Sequence, residues 1–401
     1  MRRRRVKITG IGPLTPAGIG REEFARGILE PVSHVREYRG FAKHGGGPFV
    51  AAEVGPFELD DLIAGLGSQR IPRHTQFALA GAALAVRDAG LTLPGLREAA
   101  PLITVGASLM DFGVMNKIME TILRKGPAFG LPSAVFSSSV SAISGAIAEV
   151  IGGGTRTLAL QSACCSGVDA IGHAMNSIAT GETEIAICGG TEAPLHFHPM
   201  LELKMAGLTP DTAEMPERIC RPFDLWRTTG VISEGACIFV LEPEESPRPG
   251  YAFIDGYAYA TDPVENPVAG LADAIRLALA NAGVRGGAVD CISAWGPGHK
   301  LVDRAEAQVL RTVFGERLKE IPVSSIKGAI GNPLGAGGAI QVAAAALGLR
   351  DGLITPTVNW QFPDPDCPLN LSNQARVITH QVTLINSHGL SGTNACLVLS
   401  K

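Results

Sequence analysis

Short apolar runs separated by longer amphipathic stretches dominate the chain. Leu102-Ile103-Thr104-Val105, Leu158-Ala159-Leu160, Glu184-Ile185-Ala186-Ile187-Cys188 and Ala236-Cys237-Ile238-Phe239-Val240-Leu241 are apolar enough to be strands buried on both faces. Between them, segment 167–181 places Val168, Ile171, Met175 and Ile178 on one side of a helical repeat. Alternating strands and helices predict an α/β chain built around a buried sheet.

A faint internal duplication runs through this pattern. Ile8-Thr9-Gly10-Ile11-Gly12-Pro13 resembles Ile292-Ser293-Ala294-Trp295-Gly296-Pro297, and segment 167–181 resembles segment 338–352, each a small-residue helix bracketed by glycines. Two similar halves, 1–244 and 245–401, are the simplest account, with Glu244-Glu245-Ser246-Pro247-Arg248-Pro249-Gly250 as the connector. Chance likeness between Gly/Ala-rich helices is the competing account.

Composition narrows the function. Of 401 residues, 46% are hydrophobic and 18% charged, so a large core is expected and disorder is not. A net charge of −4 gives no electrostatic case for nucleic acid or an anionic membrane. The basic run Arg2 to Arg5 reads as a solvated N-terminus. No signal peptide is legible, and no apolar run approaches the roughly 18 residues of a membrane span. The eight cysteines are scattered, which suits a reduced, cytoplasmic compartment. No Cys/His spacing suggests a metal site; His196 and His198 form an H-x-H pair without a third ligand nearby. The remaining histidines, this pair included, read as loop residues. Gly10-x-Gly12 after a strand invites a dinucleotide reading, but Thr15 stands where the third glycine is needed.

The chemistry-bearing feature is Ser162-Ala163-Cys164-Cys165-Ser166-Gly167, between a strand and a helix. A thiol at a helix N-terminus meets the positive end of the macrodipole and free N–H groups, which favour the nucleophilic thiolate. Cys164 there is suited to take an acyl group from a thioester. The alternative is a buried structural cysteine, the usual state of a free thiol.

The surrounding blocks resemble the β-ketoacyl synthase family of the thiolase-fold superfamily. They are Thr9-Gly10-Ile11-Gly12-Pro13-Leu14-Thr15-Pro16, Ser162-Ala163-Cys164, Gly189-Gly190-Thr191-Glu192, Arg221-Pro222-Phe223-Asp224 with Ser233-Glu234-Gly235-Ala236, Ser325-Ile326-Lys327 with Gly331-Asn332-Pro333-Leu334-Gly335-Ala336-Gly337, Pro356-Thr357-Val358-Asn359, and Asn386-Ser387-His388-Gly389. The resemblance implies a five-layer αβαβα body of two duplicated halves, normally dimeric. It implies no resident cofactor, but an acyl chain carried on phosphopantetheine by acyl carrier protein or by coenzyme A. By the same resemblance Cys164 is the nucleophile, Glu306 and Lys327 organise the floor of the site, and the backbone N–H groups of Cys164 and Leu390 form the oxyanion hole. Glu306 and Lys327 are expected to form a structural ion pair.

The departures matter as much as the matches. Where the family has HGTST, this chain has Trp295-Gly296-Pro297-Gly298-His299; where it has GH, Gly331-Asn332; where it has FGFGG, His388-Gly389-Leu390-Ser391-Gly392. The family's Cys-His-His set becomes Cys164, Trp295 and Asn332. Asparagine can still donate to a thioester oxygen, as in the family's initiating synthases, but cannot relay a proton. Tryptophan offers one N–H and a bulky ring. Losing a positioned donor costs about 10²–10³ in rate, so decarboxylation should suffer more than acyl capture. His388 and His299 are candidate replacement bases; the alternatives are a satisfied imidazole at 388 and a loop residue at 299. The expectation is an acyl-thioester enzyme in fatty-acid or polyketide-type biosynthesis, with condensation altered or replaced by acyl transfer. The second reading is a non-catalytic partner resembling a chain-length factor, in a heterodimer with an active ketosynthase rather than a homodimer.

Overall fold

The computed structural model describes residues 3–67, 71–265 and 268–401. Ten strands carry the fold: β1 (Val6–Thr15), β2 (Leu102–Gly106), β3 (Arg156–Leu160), β4 (Ala186–Glu192), β5 (Gly235–Pro243), β6 (Phe253–Thr261), β7 (Cys291–Ser293), β8 (Val323–Ser324), β9 (Val382–Gly389) and β10 (Thr393–Ser400). They run side by side in the order β8-β7-β9-β10-β6-β1-β5-β4-β2-β3. Only Val6↔Ile254 and Lys7↔Phe253 join β1 to β6, so the path is two five-stranded halves meeting at a narrow seam.

The halves repeat one another. In each, the second strand lies parallel to the third and fourth, and the fifth is antiparallel to the fourth and first. Position in the sheet therefore equates β1 with β6, and β2 with β7. The expected match between Ile8-Thr9-Gly10 and Ile292-Ser293-Ala294 is corrected: the first lies inside a first strand, and the second runs off the end of a second strand. One is a glycine-punctuated strand interior and the other a strand end with the turn after it, so the likeness is one of composition and not of place in the fold.

The likeness between 167–181 and 338–352 coincides with a structural repeat. Helices α4 (Ser166–Ala179) and α7 (Gly337–Asp351) both follow a third strand and pack on each other between the two halves. Val168, Ile171, Ala343 and Leu349 are fully buried there. Small residues are needed because these helices touch sheets on both sides. A Cβ on Gly106 of β2 would sit 2.1 Å from the Ser166 carbonyl oxygen. Outer layers are formed by α1 (Arg73–Asp88) and α3 (Ser141–Ile151) on one side, and α5 (Gly270–Ala282) and α6 (Lys300–Phe314) on the other; α2 (Phe112–Lys125) lies between α1 and α3 in the chain. The result is the αβαβα layering of a thiolase-like fold.

The basic N-terminal run is not a free tail. Arg2 lies outside the described residues, but Arg3 donates to Asn176, Arg4 pairs with Glu184, and Arg5 pairs with Asp255. These contacts tie β1 to both halves. Among the described residues no single helix is long and apolar enough to cross a membrane.

Candidate active site

The equivalent strands of the two halves deliver their carboxyl ends to one buried cluster that holds Cys164, Trp295 and Leu334 together. Strands β2 and β3 bring Ser108 and Cys164; β7 and β8 bring Trp295 and Lys327. Cys164 lies one residue before the Cys165 cap of α4, and Ala163 is held left-handed at φ 52°. Four polar contacts fix this turn. Ser162 N–H donates to Ser166 Oγ at 2.9 Å, Ser166 Oγ to Ala163 O at 2.6 Å, Thr393 Oγ1 to Ser162 O at 3.0 Å, and Ser387 Oγ to Cys164 O at 3.2 Å. The backbone N–H groups of Cys164 and Leu390 lie on the side of the sulfur where they favour its anion.

The thiol is protonated, contrary to the expectation from its place at a helix N-terminus. Burial pushes Cys164 up to about 12, and the charge of Glu192 adds to it; Lys327 and the two N–H groups pull the other way and lose. At 4% exposure, desolvation of the sulfur anion outweighs the fractional charge of a helix end. Trp295 accounts for part of this dryness. It is 3% exposed and shares an apolar cluster with Cys164, Ile232, Leu334, Met200 and Phe49.

Glu306 and Lys327 are close enough to feel one another but form no ion pair, correcting that expectation. Glu306 accepts from the backbone N–H groups of Trp295 (2.9 Å) and Gly296 (2.8 Å) and from Asn386 Nδ2 (3.1 Å). Lys327 donates to Gln341 Oε1 at 2.9 Å, and Gln341 Nε2 donates to Ala294 O at 2.9 Å. Glu306 thus shapes the Trp295 turn, while Lys327 is tied to the same strand end through Gln341. Burial draws Lys327 down to about 8, partly offset by the charge of Glu306.

His388 packs edge-on against Trp295, ring centroids 5.2 Å apart at 78°. Its Nδ1 meets Asn394 Oδ1 at 2.8 Å. Asn332 is buried, its backbone bonded to Val231 and Ser233, and its Oδ1 has no hydrogen-bond partner. His299 caps α6 with Nδ1 buried and unpartnered; burial and the charge of Arg227 lower its pKa. No hydrogen bond or ring contact joins His299 to Cys164, Trp295 or His388. Of the histidines read as loop residues, His74 lies in α1, His173 in α4 and His198 in helix Phe197–Met205.

Sequence reasoning passed over Gln341, Glu192, Asn394 and Asp262. Gln341 had a signal: it is a polar residue amid the apolar run of α7. Glu192 likewise ends an apolar strand. It accepts from Ser108, Leu109 and Gly335 N–H groups and from the Ser108 hydroxyl, and burial pushes it up to about 7. Asn394 and Asp262 had no local signal.

A thiolase-like body with a cysteine on the turn into its central helix defines the class. The Beta-ketoacyl synthase N-terminal domain description matches residues 3–246 and the C-terminal domain description residues 250–361. The chain belongs to the β-ketoacyl synthase family. It is 31% identical to a putative polyketide beta-ketoacyl synthase 1 of Streptomyces virginiae over 418 residues, covering 100% of this chain and 98% of that one. It is 30% identical to 3-oxoacyl-[acyl-carrier-protein] synthase 2 of Coxiella burnetii over 414 residues, covering 100% and 99%. Among solved structures it is similar to the ishigamide ketosynthase/chain length factor, with TM-score 0.93, 32% identity and coverage of 100% and 99%. It is also similar to a type II polyketide acyl-carrier protein in complex with its ketosynthase bound to the hexaketide, with TM-score 0.90, 28% identity and coverage of 99% of each chain.

Proposed function

We propose that this chain takes an acyl group from a phosphopantetheine thioester onto Cys164, within fatty-acid or polyketide-type biosynthesis, and passes it on with decarboxylative condensation altered or replaced by transfer to another nucleophile. The observation that carries this reading is the Cys164 turn, a sulfur beside the left-handed corner at Ala163 and at the entry to the central helix. In the step itself, the sulfur–carbonyl bond forms as the carbonyl–pantetheine sulfur bond breaks. The thiol proton leaves to a base and returns to the departing pantetheine sulfur. The N–H groups of Cys164 and Leu390 would hold the negative oxygen between these events. Trp295 occupies the position of the family's first histidine and supplies neither a base nor room for a malonyl group.

The donor would be acyl carrier protein or acyl coenzyme A. A second subunit, in a homodimer or a heterodimer, would cover the exposed apolar side chains Met119, Leu123, Phe129, Val135 and Phe136. The second reading is a non-catalytic partner of an active ketosynthase. Two observations favour it: likeness to a ketosynthase/chain length factor assembly, and a resting thiol far from ionisation.

Intact mass after incubation with acyl carrier protein and coenzyme A thioesters separates the two. An adduct lost in Cys164→Ala supports the enzyme. No adduct with any donor, together with stable co-purification with a synthase subunit, supports the partner. With malonyl thioester added, Trp295→His should raise carbon dioxide release at least tenfold; no gain would mean that the pocket is rebuilt for another acceptor.

A further inference from the structure

Helix α1 uses two of its sides differently. One side is seated on β1: a Cβ on Gly12 would lie 1.9 Å from the Gly81 carbonyl oxygen, and one on Gly10 would lie 2.2 Å from that of Ala85. Contacts this close fix the helix on the sheet. Leu79, Ala82, Ala83, Val86 and Arg87 recur at helical spacing on another side. With two alanines at its middle, that side leaves a cavity of about 380 Å³, bordered also by α3, by helix Leu93–Ala99 and by Ile187 of β4.

Every residue lining this cavity is apolar except Arg87, and the lining shares no residue with the apolar cluster around Cys164. Its size falls in the range of small-ligand sites, which join a mostly apolar wall to a few placed polar groups. Here the single polar side chain is a guanidinium. Arg87 stands in the last turn of α1 and is exposed; among the described residues its side chain makes no hydrogen bond and no ion pair. Its neighbour Asp88 is engaged elsewhere, accepting from Arg21 at 2.7 Å and from the Ile11 N–H at 2.9 Å. A ligand suited to these walls has a hydrocarbon body, because a polar atom along it would lose water and find no partner. Its one polar end must be anionic to meet Arg87, and a carboxylate matches the guanidinium fork with two parallel hydrogen bonds. We propose that the cavity binds an aliphatic monocarboxylate, its chain against α1 and α3 and its carboxylate on Arg87, at a site separate from Cys164.

Isothermal titration calorimetry of the full chain with hexanoate, octanoate, decanoate and decanol tests this. Each added methylene should tighten carboxylate binding about fourfold. Arg87→Ala should weaken decanoate roughly tenfold and leave decanol unchanged, since only the charged end loses its partner. Ala83→Phe, which fills the cavity, should abolish binding of both. Arg87 is exposed, so its removal leaves the fold intact, and the chain-length series with Arg87→Ala decides the matter should Ala83→Phe fail to fold. Absence of decanoate binding at millimolar concentration overturns the proposal. So does an affinity that does not rise with chain length, and so does an equal loss of decanoate and decanol in Arg87→Ala. Full decanoate binding in both variants places the acid elsewhere, the Cys164 site included, and overturns it too.

Discussion

Lys327 permits a sharp test of how burial governs this site. Its side chain is 1% exposed, its ammonium is bonded to Gln341 Oε1 at 2.9 Å, and it lies 5.8 Å from the Trp295 ring centroid. Burial draws its pKa from 10.5 to about 8. Below about 8 the lysine is charged in folded and unfolded chains alike, and the folded chain bears the full cost of desolvating it. Between about 8 and 10.5 the folded chain has released a proton that the unfolded chain still binds, so stability from this residue rises with pH. A fall of that size corresponds to about 3 kcal/mol at roughly 1.36 kcal/mol per pH unit. Lys327→Met removes the titration at similar volume. Urea unfolding of the two proteins, side by side from pH 7 to 9.5, should show the difference shifting towards the wild type by about 2 kcal/mol above pH 8. At pH 7 the variant should be at least as stable as the wild type, since only the Gln341 bond is lost. An unchanged difference would mean that the folded lysine keeps its proton. A shift of opposite sign would mean that a close carboxylate holds it, as the rejected ion pair would have.

Two further outcomes follow from the same burial. Glu306→Ala leaves two backbone N–H groups and Asn386 Nδ2 without an acceptor, at about 1–3 kcal/mol each; it should lower stability by at least 3 kcal/mol in urea unfolding, and Glu306→Gln by less than half as much. Equal losses would show that the charge, not the acceptor count, matters. The buried thiols Cys164, Cys220 and Cys291 are raised from 9 to about 12. The folded chain therefore keeps protons that the unfolded chain loses, and their contribution is complete below pH 9 and lost as pH rises above it. The urea midpoint of the wild type should fall between pH 9 and 11, and a flat profile would show that the thiols ionise in place.

Much of the architecture was legible in the chain. The buried strands announced themselves as apolar runs because a sheet covered on both faces has no polar side to alternate with. The small-residue helices at 167–181 and 338–352 were recognisable because close packing between two sheets admits little else. The mistaken equivalence of 8–13 with 292–297 shows the limit: short glycine-punctuated segments look alike whether they run inside a strand or past its end, and only strand order separates them. Within the site, Cys164 was found from its strand-to-helix setting, and Trp295 and Asn332 from their departure from a pattern. Asn394 and Asp262 were invisible because they are 132 residues apart in the chain and meet only through strand register.

The amino-acid sequence by itself determined the alternation of strands and helices, the repeat of the central helices, and the place of a cysteine at the entry to one of them. These are local properties, set by side-chain size and polarity within a few residues. Tertiary structure decided the rest. It made Cys164 a protonated thiol, because the desolvation of an anion is summed over every neighbour from every layer. It separated Glu306 from Lys327, because three donors and a glutamine amide were nearer to hand. It also aligned Asp262, Asn394 and His388, because cross-strand register is a relation between distant segments that no spacing along the chain encodes.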